Sequence, residues 1–150
     1  MTRRRVLLTF PGVLLGLIST VHGQTHEITV YKTTTCSCCA VWIRHLRENK
    51  FTVKVVEVDS TAEYQKKNGV TAALRSCHTA TVAGYTIEGH VPASEVQRIL
   101  KEKPKAKGLA VPGMPVGSPG MEVGTRRDAY SVLLFDADGK TSVYRHYPAR

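Results

Sequence analysis

The chain has four cysteines, and they fall in two places: Cys36, Cys38 and Cys39 in the run Thr33-Thr34-Thr35-Cys36-Ser37-Cys38-Cys39, and Cys77 directly before His78. None is left over for a structural bridge elsewhere. Cys36 and Cys39 have C-x-x-C spacing. Where a loop enters a helix, unpaired amides and the positive end of the helix dipole favour thiolate over thiol. That pair could therefore work as a thiol-disulfide oxidoreductase, with Cys36 attacking and Cys39 resolving. Cys38 changes the chemistry. It adds a third thiol, and a disulfide between the adjacent Cys38 and Cys39 would demand a strained ring. Three thiolates within four residues suit a soft metal better than clean dithiol exchange.

Other soft or borderline donors lie along the chain. His78 can ligate a metal through its imidazole or hydrogen-bond the backbone at a turn, and the sequence leaves both open. His90, just before Val91-Pro92, is a weaker ligand or supporting donor. His45 follows Cys38 by two helical turns and is expected to be solvated. His26 offers only a weak Cu(II) site with a nearby chain end. Apart from Met1, the methionines are Met114 and Met121, both in Gly113-Met-Pro-Val-Gly-Ser-Pro-Gly-Met121. Neither fills an obvious core face, whereas a thioether held over thiolates suits Cu(I); burial of the loop against a sheet is the alternative. Copper(I) is therefore the favoured ion, and bridging sulfurs allow more than one per chain. Zinc is the alternative, although its structural sites usually take two separated C-x-x-C pairs. Iron-sulfur spacings are absent.

The elements that would position these residues follow from periodicity. His26–Lys32 alternates β-branched residues as a strand, and a helix starting near Cys38 places Trp42, Ile43 and Leu46 on one face. Phe51–Val58 is a second strand, too densely apolar for a surface edge. Strand-helix-strand implies parallel pairing through a right-handed crossover. Asp59-Ser60-Thr61 caps a short helix broken near Asn68-Gly69, and a further helical piece covers Thr71–Arg75. Thr79–Ala83 and Tyr85–Val91 form a hairpin, and Pro92 opens a helix with Val96, Ile99 and Leu100 inward. This order predicts an α/β, thioredoxin-like mixed sheet with flanking helices. In that fold the loop before the third strand passes beside the C-x-x-C turn and usually carries a cis-proline; here Cys77-His78-Thr79-Ala80 falls there, so Cys77 should join the other three cysteines. Between Pro104 and Gly120 lie four prolines and four glycines, read as a long loop with no helix or central strand. A C-terminal β-hairpin turns at Asp136-Ala137-Asp138-Gly139-Lys140.

The amino-terminal Met-Thr-Arg-Arg-Arg, the apolar run Val6–Ile18 and the small-residue site before Gln24 have the layout of a secretory signal peptide over residues 1–23. The apolar run is too short for a stable membrane span. Residues 24–150 then form one domain. Thr2-Arg3-Arg4-Arg5-Val6-Leu7-Leu8 also has the look of a twin-arginine signal, so export by that or the general secretory route is open. The formal charge of +9 includes Arg3, Arg4 and Arg5; the rest, with Lys101, Lys103, Lys105 and Lys107, reads as a solvated basic face. Aromatic residues are not interleaved with basic ones as nucleic-acid binding would need.

Together, Tyr31-Lys-Thr-Thr-Thr-Cys36-Ser-Cys38-Cys39, Ser76-Cys77-His78-Thr79-Ala80, Gly89-His90-Val91-Pro92 and Gly108-Leu-Ala-Val-Pro-Gly-Met-Pro-Val-Gly-Ser-Pro-Gly-Met121-Glu122 resemble the exported CopG-type copper-resistance proteins, a metal-binding domain of unknown function. The resemblance implies a periplasmic thioredoxin-like protein with a copper cluster on Cys36, Cys38, Cys39 and Cys77, joined less securely by Met114, Met121, His78 and His90. It also implies a role in copper tolerance that extends to copper redox chemistry. The expected partners are copper ions and other periplasmic copper-handling proteins. Three functions compete: copper sequestration or redox cycling, thiol-disulfide exchange at Cys36 and Cys39, and a copper chaperone that hands its ion to an acceptor.

Overall fold

The computed structural model describes residues 26–150; the expected signal peptide lies outside them. Seven strands form one mixed sheet in the order β2-β1-β3-β4-β5-β6-β7. The chain runs through β1 (Glu27–Lys32), α1 (Ser37–Glu48), β2 (Thr52–Glu57), α2 (Ala62–Lys67), a 3-10 turn (Ala72–Leu74), β3 (His78–Val82), β4 (Tyr85–Glu88), α3 (Ala93–Glu102), β5 (Gly108–Ala110), β6 (Tyr130–Phe135) and β7 (Thr141–Tyr147). β1 and β2 pair in parallel across α1, while β3 runs antiparallel to β1 and to β4. This is the α/β arrangement expected from the order of elements.

The apolar faces of α1 and α3 meet the sheet in one main core. Trp42, Ile43 and Leu46 from α1 and Val96, Ile99 and Leu100 from α3 are buried with Ile28, Val30, Ala80, Val82 and Ile87. The 3.6-residue spacing on each helix produces this single buried stripe. On the other side of the sheet a smaller cluster joins Val70, Leu74, Ala110 and Phe135. Among the described residues no helix is long and apolar enough to cross a membrane.

Three expectations need correction. The Phe51–Val58 segment does form a strand, but β2 is an edge of the sheet. Val53 and Val55 share the face that packs on the main core while Thr52, Lys54 and Glu57 are exposed, so a dense apolar run needs only one covered side. The glycine- and proline-rich stretch was expected to exclude a central strand, yet Gly108–Ala110 is wholly buried between β4 and β6. Three residues suffice because the first is glycine: a Cβ on Gly108 would lie 1.8 Å from the Thr86 carbonyl oxygen. Through β5 the C-terminal hairpin becomes a continuation of the main sheet. Finally, His45 is half-buried rather than solvated, and its Nε2 accepts the Ala93 N–H at 3.0 Å at the start of α3.

Candidate metal centre

The β1 strand delivers the chain to the first turn of α1, where Cys36 occupies the N-cap position and Ser37, Cys38 and Cys39 begin the helix. Cys36 makes no side-chain cap bond, and the first turn carries no acidic residue. The positive end of the helix is therefore offered to sulfur. Cys39 points into the core and is fully buried, while Cys36 and Cys38 are partly exposed. Pairing of β1 with β3 sets Lys32 opposite His78, which brings the residue before β3, Cys77, across to the cysteine turn.

The Sγ atoms of Cys36, Cys38, Cys39 and Cys77 all lie within 4.8 Å of one another. Cys36 to Cys38 is 3.6 Å, Cys38 to Cys77 is 3.9 Å and Cys39 to Cys77 is 3.5 Å. Cys36 and Cys39 are joined in a disulfide, with Cα atoms 5.4 Å apart; Cys38 and Cys77 are free. Burial pushes the Cys77 thiol up to about 12, and the adjacent Cys38 adds to the shift. Cys77 is thus a neutral thiol at ordinary pH unless a cation stabilises its thiolate.

Cys77 also belongs to a second donor group with His78 and His90. The Nδ1 of His78 is 3.2 Å from Cys77 Sγ, and the Nε2 of His90 is 3.1 Å from it. His90 Nδ1 donates to the Pro119 carbonyl at 2.8 Å. A carbonyl can only accept, so the proton sits on Nδ1 and the Nε2 lone pair faces the sulfur, the tautomer a metal-binding histidine needs. Both imidazoles are held neutral: burial lowers His90, opposed by Pro119 and Glu122, and burial together with His90 pushes His78 down to about 3. His78 packs on the Trp42 ring with centroids 4.3 Å apart. Among the described residues its buried Nε2 has no hydrogen-bond partner.

The glycine- and proline-rich loop covers this corner. Gly113 N–H donates to the Arg75 carbonyl at 3.1 Å, and the Ser76 hydroxyl donates to the Gly113 carbonyl. Gly120 passes so close to α1 that a Cβ there would lie 2.9 Å from the Cys38 carbonyl oxygen and 3.2 Å from His90 Nδ1. Met114 follows the tethered Gly113 with 51% of its surface exposed, and Met121 is half-buried directly after Gly120. The donors therefore form two adjoining groups, four sulfurs and a sulfur with two imidazoles, that share Cys77, with the two methionines in the loop that overlies this corner. Such a set of soft and borderline donors fits copper or zinc and does not fit magnesium or calcium, which take oxygen.

A family model described as a protein of unknown function, DUF411, matches residues 74–121. Among solved structures, a copper resistance protein CopG in its form 2 is 42% identical with a TM-score of 0.80, covering 83% of this chain and 100% of that one. Form 1 is likewise 42% identical, with a TM-score of 0.79, covering 83% of this chain and 99% of that one. The chain belongs to the CopG family. No curated protein matches it. In this CopG-family member the motif residues Cys36, Cys38, Cys39, Cys77, His78 and His90 converge, whereas Trp42 and Pro119, which hold the two imidazoles, were not evident from spacing. Trp42 reads in the sequence only as a core residue, and a backbone carbonyl leaves no signature at all.

Proposed function

We propose that the protein is a periplasmic copper-binding protein that holds Cu(I), as a thiolate cluster, in copper resistance. The convergence of four cysteine sulfurs within 4.8 Å, with Cys77 shared by two buried imidazoles, carries this reading. Membership of a family whose solved relatives are named copper resistance proteins supports it. With the Cys36–Cys39 bond reduced, Cys36, Cys38, Cys39 and Cys77 would be the cluster ligands, His78 and His90 would complete the Cys77 side, and Met114 and Met121 would be thioether contributors from the covering loop. Soft thiolates favour Cu(I), and a sulfur can bridge two ions, so the pocket suits more than one copper. Imidazole donors on one side and thiolates on the other also allow both oxidation states of copper to be accommodated.

Anaerobic Cu(I) titration of the reduced protein tests this. More than one copper per chain is expected, with most of it lost in Cys36→Ser and in Cys39→Ser. Binding no greater than that of a cysteine-free variant would overturn the reading, and one zinc per chain in protein purified from its native location would redirect it.

The Cys36–Cys39 disulfide favours a second reading, thiol-disulfide exchange with Cys36 attacking and Cys39 resolving. That function requires metal-independent turnover of a protein disulfide and should survive Cys77→Ala, which removes a copper ligand but neither redox partner.

A further inference from the structure

Glu88, at the end of β4, is fully buried, and nothing in the metal chemistry above uses it. Its Oε1 accepts the Ser76 backbone N–H at 2.7 Å and Gln65 Nε2–H at 2.8 Å, and its Oε2 accepts the Thr79 hydroxyl at 2.7 Å. Gln65 Nε2 also donates to the Ser76 carbonyl at 3.1 Å. Ser76 and Thr79 flank Cys77-His78, so one carboxylate ties down both ends of the dipeptide that carries the shared sulfur and one of the two imidazoles. Gln65 is the buried residue of α2; its neighbour Tyr64 is half-buried and stacks on Tyr31.

Burying a carboxylate is costly unless all its acceptor positions are used, and an apolar residue at 88 would leave the Ser76 N–H without a partner. Burial raises the Glu88 carboxyl, opposed by the bonds from Thr79, Ser76 and Gln65 and by Arg75. Every bond to the carboxylate comes from the Cys77 segment or from Gln65. A core that needed only packing would place an aliphatic residue there.

We propose that Glu88, together with Gln65, is a positioning residue of the metal centre: the pair clamps Ser76 and Thr79 and so presents Cys77 Sγ and His78 Nδ1 to the α1 cysteines. This rests on the copper-binding reading. The clamp matters because Cys77 reaches the other three cysteines only by tertiary placement, and a ligand about 1 Å out of place loses its geometry.

The test compares Glu88→Ala, Gln65→Ala, Thr79→Val and Glu88→Gln with wild type and Cys77→Ala, using circular dichroism to monitor the fold. Two readouts are taken: the rate at which iodoacetamide alkylates Cys77 relative to Cys38 in reduced, metal-free protein, and the copper-thiolate absorption with the sulfur-to-nitrogen ratio at Cu(I) from X-ray absorption. In the alanine variants Cys77 should alkylate about tenfold faster, and their copper spectra should approach that of Cys77→Ala. Adding Glu88→Ala to Cys77→Ala should then change the sulfur contribution at copper no further, the remaining change falling on the His78 nitrogen. Glu88→Gln should restore both readouts, because its carbonyl can face Ser76 and Gln65 while its amide donates to the rotatable Thr79 hydroxyl.

Wild-type alkylation and copper spectra in folded Glu88→Ala and Gln65→Ala would overturn the proposal, as would failure of Glu88→Gln to rescue. If Glu88→Ala does not fold, Gln65→Ala and Thr79→Val decide by the same two readouts. Should wild type bind no Cu(I), the copper reading falls, while Cys77 alkylation still decides the clamp.

Discussion

The Cys77 thiol and the His90 imidazole face each other at 3.1 Å, Sγ to Nε2. The proton of His90 is committed to Pro119, so the nitrogen nearest the sulfur presents its lone pair to Cys77. His90→Phe should keep the ring volume and lower Cu(I) affinity by about 10-fold to 100-fold, the range seen when support around a metal is removed. Competition against a chromophoric Cu(I) chelator measures this; unchanged affinity would reduce His90 to a packing residue.

Trp42 is the only tryptophan in the chain, and its ring lies against His78. Copper at Cys77 and His78 should therefore quench its fluorescence in step with binding, and Cys77→Ala should blunt the response. Replacing it by phenylalanine removes the 2.8 Å bond from Nε1 to the Val91 carbonyl, at a cost of about 1–3 kcal/mol for the carbonyl left buried without a partner. A full copper titration with constant emission would place the metal away from this corner.

His45 links pH to the start of α3. Burial lowers its pKa from 6.5, opposed by Glu122 and Glu48, and its neutral Nε2 accepts the Ala93 N–H. The unfolded chain therefore takes up a proton at a higher pH than the folded one. Stability of the metal-free protein should fall as pH drops below about 6.5 and stop falling on this account below the lowered folded value. His45→Gln, whose amide oxygen can accept the same N–H at any pH, should flatten part of that slope in denaturant titrations at pH 7 and pH 5. An unaltered slope would show that His45 does not contribute.

Gly120→Ala joins a steric demand to a backbone one. Its φ of +89° disfavours any side chain, and the added methyl would press on the Cys38 carbonyl and His90 Nδ1. A loss of about 1–3 kcal/mol is expected, together with weaker copper binding than Gly113→Ala, where a Cβ meets nothing within 4 Å. Thermal unfolding and Cu(I) competition on the two variants separate the effects of crowding from those of positive φ alone.

Much of the fold is written in local patterns. Valine alternation in β1, the Trp42-Ile43-Leu46 stripe of α1 and the Val96-Ile99-Leu100 stripe of α3 each specify an element and its inward face. The meeting of Cys77 with the α1 cysteines follows from topology, because antiparallel β3 must begin beside the turn where β1 leaves off. What the residues did not disclose depends on long-range fit. The strand at Gly108–Ala110 exists because β4 and β6 offer free edges on both sides, and its composition argues against it. His45 reads as a surface residue until Ala93 arrives from 48 positions away. Glu88 is visible in the sequence only as an acid set between Ile87 and Gly89-His90 at the end of a strand that carries no other charge.

The bond from His90 to Pro119 has a consequence for the order in which the molecule is made. All four cysteines have left the ribosome well before residue 119 does, and so has His90, but the carbonyl that orients its ring has not. β6 and β7, which hold β5 in place on its far side, are synthesised later still. A nascent chain thus displays four reactive thiols long before their surroundings exist. The finished donor geometry belongs only to the completed polypeptide, and metal capture in that geometry comes at the end of folding.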